Sequence, residues 1–150
     1  MTDLTKAKAA LDGHSLAVCK GEQIKTFDGR GISPLVNAIE GGDLSGYSAA
    51  DTVVGKAAAL LMVKAGIVCA YAVNMSMSAK AVFEAHNIYY EFTTLADKIM
   101  NRENTDVCPM EKTVAQIDDP EQAYCAIKQK LASLTAKNKF FIINQNKKRA

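Results

Sequence analysis

The sequence predicts an α/β protein, a three-layer α/β/α sandwich around a mixed sheet of about four strands, or five. Three observations carry that reading. Residues 15–20 and 23–27 are strand-like runs joined across Gly21-Glu22, the pattern of an antiparallel hairpin. Residues 67–73, IVCAYAV, form a short and nearly continuous apolar run, as expected of a strand buried on both faces. Segments with a helical apolar face alternate with these strands, which is how layered α/β domains are built.

In chain order, residues 2–12 suit a short helix capped by Thr2 or Asp3 and stopped by Gly13. Residues 28–31, DGRG, make a flexible connection. Ser33 and Pro34 open the next helix with a cap and a first-turn proline. Leu35, Val36 and Ile39 form its buried side, and Gly41-Gly42 closes it. Residues 48–66, SAADTVVGKAAALLMVKAG, are apolar all round and predict a central helix. Ser48 caps it, Asp51 is a shortened capping-box partner, Lys64 lies near its end and Gly66 supplies a left-handed C-cap.

After the strand at 67–73, residues 74–78 read as a polar loop and 79–86 as a helix with Ala79, Val82 and Phe83 inward. Residues 88–92 are the next strand, so 67–92 is a strand–helix–strand unit with a parallel pair. Thr93 or Thr94 caps a short helix through Met100, and residues 101–105 are a hydrophilic loop. A further helix begins near Thr105 or Asp106, with Pro109 in its first turn. Asp118-Asp119-Pro120-Glu121 caps the last helix, whose buried face is Ala123, Ile127, Leu131 and Leu134.

At 150 residues the chain is one domain, large enough to bury roughly two-thirds of its unfolded surface. No apolar run reaches the roughly 20 residues of a membrane helix, so no membrane partner is expected. The segment MTDLTKAKAALDG has no signal-peptide core, which makes the cytoplasm the expected compartment. Cys19, Cys69, Cys108 and Cys125 are scattered singly, with neither a disulfide framework nor a CxxC metal spacing. No metal and no cofactor is expected.

Charge is distributed unevenly. All 16 acids and 11 of the 18 bases lie in residues 1–121, a net −5; the other seven bases give the last 29 residues a net +7. The chain therefore divides into a domain, 1–134, and a basic C-terminal tail, 135–150. Lys137, Lys139, Lys147, Lys148 and Arg149 could contact nucleic acid, while residues 140–143, FFII, suggest an edge strand or a contact in a homo-oligomer.

Two places carry candidate chemistry. Lys56 stands inside the most apolar segment, where an amine either answers an anionic ligand or pairs with an acid such as Asp51 or Glu111. It does not belong to a phosphate loop, because the GxxxxGK pattern requires glycine where Ala50 stands. In residues 106–111, DVCPME, Cys108 at a helix start is a candidate nucleophile and Glu111, one turn on, a proton carrier. His14 and His86 lie at element boundaries and read as solvated or capping groups. Cys19, Cys69 and Cys125 read as core.

The segments GRGISPLVNAIEGG, ADTVVGKAAALLMV and NRENTDVCPMEKTV, in that order, resemble the family known as domain of unknown function 1893, over about residues 14–130. The resemblance implies a cytidine deaminase-like fold. The family's characteristic positions fall on Asp51, Gly55, Lys56, Asp106, Cys108, Pro109 and Glu111, which implies that Lys56, Cys108 and Glu111 share a pocket. A zinc deaminase needs His or Cys followed by a catalytic Glu on the central helix and a PCxxC opening the next. Here those places offer Val54-Gly55-Lys56 and residues 74–78, NMSMS, so the zinc motif is absent.

The functional expectation is a metal-free domain binding a small anionic ligand, a nucleotide or nucleoside derivative, through Asp51, Gly55, Lys56 and Asp106. The competing expectation is an enzyme with Cys108 as nucleophile, assisted by Lys56 and Glu111. A third is an interaction protein acting through its basic tail.

Overall fold

The computed structural model describes residues 1–149, and the side chains of residues 1–135. The elements are α1 (Asp3–Ala10), β1 (Leu16–Lys20), β2 (Gln23–Phe27), α2 (Ser33–Gly41), β3 (Ser48–Val54) and α3 (Lys56–Ala65), followed by β4 (Cys69–Ser76), α4 (Met77–Ala85), β5 (Tyr89–Ala96), α5 (Pro109–Val114) and α6 (Pro120–Arg149). They form one mixed five-stranded sheet in the order β2-β1-β3-β4-β5. β1 is antiparallel to β2 and β3, whereas β3, β4 and β5 run parallel. α1 packs on one face against β1, β3 and β4; the opposite side carries α2, α3 and α4, with α5 and α6 against α3. This is the three-layer α/β/α arrangement, with the sheet at its five-strand count.

The main correction concerns residues 48–66. They are not one helix but a central strand, a glycine and a helix: β3 ends at Val54, Gly55 is the N-cap, and α3 starts at Lys56. The run is apolar throughout for a different reason from the one expected. Ala49 joins the large core on the helix-covered side and Ala50 the smaller core under α1, so the first half of β3 is buried on both faces, while Thr52 and Val53 are exposed. Ser48 pairs with Cys69 in the sheet and caps nothing, and Asp51 lies opposite Leu16 and Ala72. The second half behaves as its composition suggests. Ala58, Leu60, Leu61 and Met62 are buried, and complete burial of each larger side chain contributes about 1.5–3 kcal/mol. Gly66 closes α3 at φ +84°, with Ser45 so close that a side chain there would also collide.

Three shorter segments also differ. Residues 74–76 continue β4 and 93–96 continue β5, because each pairs the other's backbone groups from Asn74↔Thr94 to Ser76↔Ala96. No helix forms at 93–100; isolated as a helix, that stretch would forfeit this pairing. α5 begins at Pro109 rather than at Asp106, since Val107 is held in a bridge to Met100. α2 starts at Ser33, yet its N-cap is Ile32 and no side chain caps it. Cys125, expected in the core, is exposed, and all four cysteines are free. Residues 140–143, suggested as an edge strand, instead lie within α6, because the helix begun at Pro120 runs on to Arg149; their side chains, and those of the tail bases Lys137, Lys139, Lys147, Lys148 and Arg149, are outside the described residues. Among the described residues no helix is long and apolar enough to cross a membrane.

Two caps follow the sequence, and that of α4 is not among those expected. The Thr2 side chain accepts from Thr5 N–H, and Asp119 Oδ2 accepts from Gln122 N–H at 2.9 Å. At α4 the buried Ser76 Oγ accepts the Ala79 N–H at 3.0 Å. Ser76→Ala should lower stability by about 1–2 kcal/mol, because that amide is shut away from water. Urea titration measures it; an unchanged midpoint would show the cap to be dispensable.

Candidate functional site

The parallel part of the sheet aims the ends of β3 and β4 at the starts of α3 and α4, where ligands bind in open α/β sheets. Two cavities open there. One, of about 570 Å³, lies between β3, the loop before α2, the loop at 99–103 and α5. The other, of about 610 Å³, lies between α3, α4 and residues 97–99. Both fall in the range of small-molecule sites.

Glu111 and Ile99 line both. Glu111 Oε1 accepts the Lys56 N–H at 2.7 Å and its Oε2 accepts the Ala57 N–H at 2.8 Å. A carboxylate from α5 thus occupies the electropositive start of α3, the position that a bound anion takes in many helix-start sites. Gly55 makes this contact possible. A Cβ there would stand 2.1 Å from Glu111 Oε1, although the backbone, φ −99° and ψ −171°, suits any residue. The glycine is required by space, not by conformation.

Lys56 heads α3 and its side chain runs to the other side of Glu111. Its Nζ donates to the Ala115 carbonyl at 3.2 Å and pairs with Asp118 Oδ1 at 3.1 Å, its side chain 16% exposed. The acid partner is neither Asp51 nor Glu111. Lys56 lines the 610 Å³ cavity, whereas Cys108 lines the 570 Å³ one. Glu111 meets both cavities, so the three groups border adjoining spaces rather than one. With both oxygens holding amides, Glu111 acts as a structural cap in this arrangement.

The 570 Å³ cavity brings together Asp51, Gly55, Cys108 and Glu111 with two residues that sequence reasoning passed over, Arg30 and Arg102. Arg30 rides on the loop before α2, where Ser15 Oγ donates to the Gly29 carbonyl and Ser33 N–H to the Arg30 carbonyl. Arg102 sits in the loop closed by the Met100–Val107 bridge, by Asn101 N–H to the Asp106 carbonyl, and by Cys108 N–H to the Ile99 carbonyl. Among the described residues, neither arginine is in an ion pair, while seven lysines are. Both arginines stand inside the quoted motifs, GRG and NREN, in polar loops. That placement was the available signal.

Asp51 is half-buried in the wall of the same cavity. Desolvation by the surrounding protein pushes its carboxyl up to about pKa 7, against the opposing pull of the Thr52 and Val53 N–H groups and the Thr52 hydroxyl. Asp106 is placed differently. It is exposed, borders neither cavity, accepts the Val107 N–H at 2.7 Å and pairs with Lys112, whose contact holds its carboxyl below the usual range. α5 is a six-residue helix headed by a proline, so it presents few free amides to a ligand. Among the described residues no three His, Cys, Asp or Glu side chains gather as a metal site.

A family model described as a domain of unknown function (DUF1893) matches residues 6–131. The chain belongs to the DUF1893 family. Its fold is similar to the crystal structure of a DUF1893 family protein from Thermotoga maritima, with a TM-score of 0.78 and 22% identity over 87% of this chain and 91% of that one. That likeness bears on the fold alone. No curated protein matches the chain. Every charged group lining the two cavities of this DUF1893 domain lies within the matched span.

Proposed function

We propose that this domain binds a small anionic ligand with an apolar body, a nucleotide or nucleoside derivative, in the 570 Å³ cavity at the end of β3. The observation that carries the reading is the convergence of Arg30 and Arg102, free of carboxylate partners among the described residues, on a cavity whose walls include Ile32, Val53, Met100 and Leu131. Guanidinium forks suit phosphate oxygens, and aliphatic walls suit the face of a base. The anion is therefore assigned to these arginines and not to Lys56, which already holds Asp118, nor to the α3 amides, which already hold Glu111.

We read the architecture as cytidine deaminase-like, on the sheet order and on the helix starts that follow β3 and β4. A deaminase zinc does not fit. The corresponding helix starts carry Gly55-Lys56 and Ser76-Met77-Ser78, with no His or Cys donor. The enzyme reading retains Cys108 at the cavity, but the two groups expected to assist it are engaged, Lys56 with Asp118 and Glu111 with the α3 amides. Binding is the better-supported function.

Calorimetric titration with nucleoside monophosphates tests this. Arg102→Ala and Arg30→Ala should each weaken binding about tenfold, the size of one lost charge-assisted contact, while Lys56→Ala leaves affinity unchanged. Loss of binding in Lys56→Ala alone, or no binding by any nucleotide, would overturn the assignment.

A further inference from the structure

Asp51 poses a physical problem that the anion site leaves open. Its carboxylate sits half-buried in the cavity wall, yet among the described residues it forms no ion pair. The adjacent Thr52 N–H donates to its Oδ1 at 2.7 Å, and the Val53 N–H and the Thr52 hydroxyl also act on it. A carboxylate has about four acceptor positions, so at the cavity it lines Asp51 keeps capacity for the donors of a ligand. Desolvation is the largest influence on this group and no cation is among the main ones, so what would relieve it is a ligand bearing donors.

We infer that the ligand edge facing Asp51 is a pair of adjacent N–H donors, as on guanine, so that the cavity selects guanine nucleotides. The inference rests on the proposed anion site and adds the base to it. Two parallel N–H groups meet two carboxylate oxygens, as a guanidinium does in a fork-on-fork pair. Guanine offers this through its ring N–H and its 2-amino group. Adenine and cytosine place a ring nitrogen lone pair beside their amino group and would set it against a carboxylate oxygen. Uracil has one N–H between two carbonyls. Hypoxanthine keeps the ring N–H but lacks the amino group, which makes it the most informative comparison. A site whose buried polar group expects a donor rejects the analogue that lacks it.

The same pairing has a pH signature. Donors bind the ionised carboxylate, so affinity should rise as Asp51 deprotonates, by about tenfold between pH 6 and pH 8 for a group titrating near 7. The other charged or titratable groups on this cavity are Arg30, Arg102, Glu103, Glu111 and Cys108. The ligand phosphate also titrates near pH 6, so the slope is read as the difference between wild type and Asp51→Asn.

The experiment is calorimetric titration of the full chain with GMP, IMP, AMP and CMP at pH 6, 7 and 8, for wild type and Asp51→Asn. The expected result is GMP binding at least about tenfold tighter than IMP and AMP at pH 8, with that preference and the extra pH slope lost in Asp51→Asn. Equal binding of all four, or preference for AMP or CMP, overturns the guanine inference and leaves the anion site standing. Absence of binding by all four removes both.

Discussion

Asp51→Asn should stabilise the protein at pH 8 and do little at pH 4. The carboxyl of Asp51 titrates near 7 in the fold and near 3.8 when unfolded, because burial disfavours its charge. Between those values the native state binds a proton that the unfolded chain has lost, so stability from this group falls as pH rises through the window. Below about pH 4 both states are protonated and the contribution is whole; above about 7 both are ionised and it is gone. Each pH unit in the window is worth about 1.4 kcal/mol, which puts an upper limit of about 4 kcal/mol on the difference. Asparagine keeps an oxygen for the Thr52 N–H and never ionises. The stability gap between variant and wild type, from urea titrations at pH 4 to 8, should therefore open with rising pH. A gap independent of pH would mean that the Asp51 carboxyl titrates alike in the folded and unfolded states. Glu40, Asp43, Glu91 and Asp106 are shifted the other way by Lys128, Ser45, Tyr89 and Lys112, so wild type alone shows opposing trends and the difference is the cleaner measure. A carboxyl shifted by burial in a cavity wall is a candidate for a binding role.

Gly55→Ala should destabilise the fold by about 2–4 kcal/mol, and so should Glu111→Ala, but the two together should cost little more than either. Both act on one contact. Alanine at 55 would place its Cβ 2.1 Å from Glu111 Oε1, forcing the carboxylate off the Lys56 and Ala57 amides. Alanine at 111 leaves the same amides without their acceptor. Because φ −99° suits alanine, the loss at 55 carries no backbone strain. With Glu111 already removed, Gly55→Ala should be nearly neutral. Equal costs of Gly55→Ala in the two backgrounds would show that the glycine matters for some other contact. The cycle also bears on the candidate site, since Glu111 lines both cavities.

Much of the secondary structure was legible because local chemistry and tertiary burial agreed. The hairpin at 16–27, the proline-started α2, the helix after Asp119 and the parallel pair around α4 all announce themselves through turns, caps and periodicity. The stretch 48–66 failed because all-round apolarity has two causes, a covered helix or a strand inside a sheet, and periodicity does not separate them. Thr52-Val53-Val54 ahead of Gly55, then Lys-Ala-Ala-Ala-Leu-Leu-Met, does hold the division: β-branched residues for the strand, strong helix formers after the break. The strand extensions at 74–76 and 93–96 were less legible, since each is extended only because the other lies beside it.

The candidate site divides in the same way. Residue types marked Asp51 and Lys56 in an apolar run and Cys108 and Glu111 at a helix start, and the family resemblance added Gly55. Which of them meet is a property of the sheet order and of α5 folding back on α3. That packing gave Glu111 the amides, Lys56 the Asp118 carboxylate, and the cavity its two arginines. Side-chain reach is only a few ångströms, and partners 55 and 62 positions apart become neighbours only when the whole chain has packed.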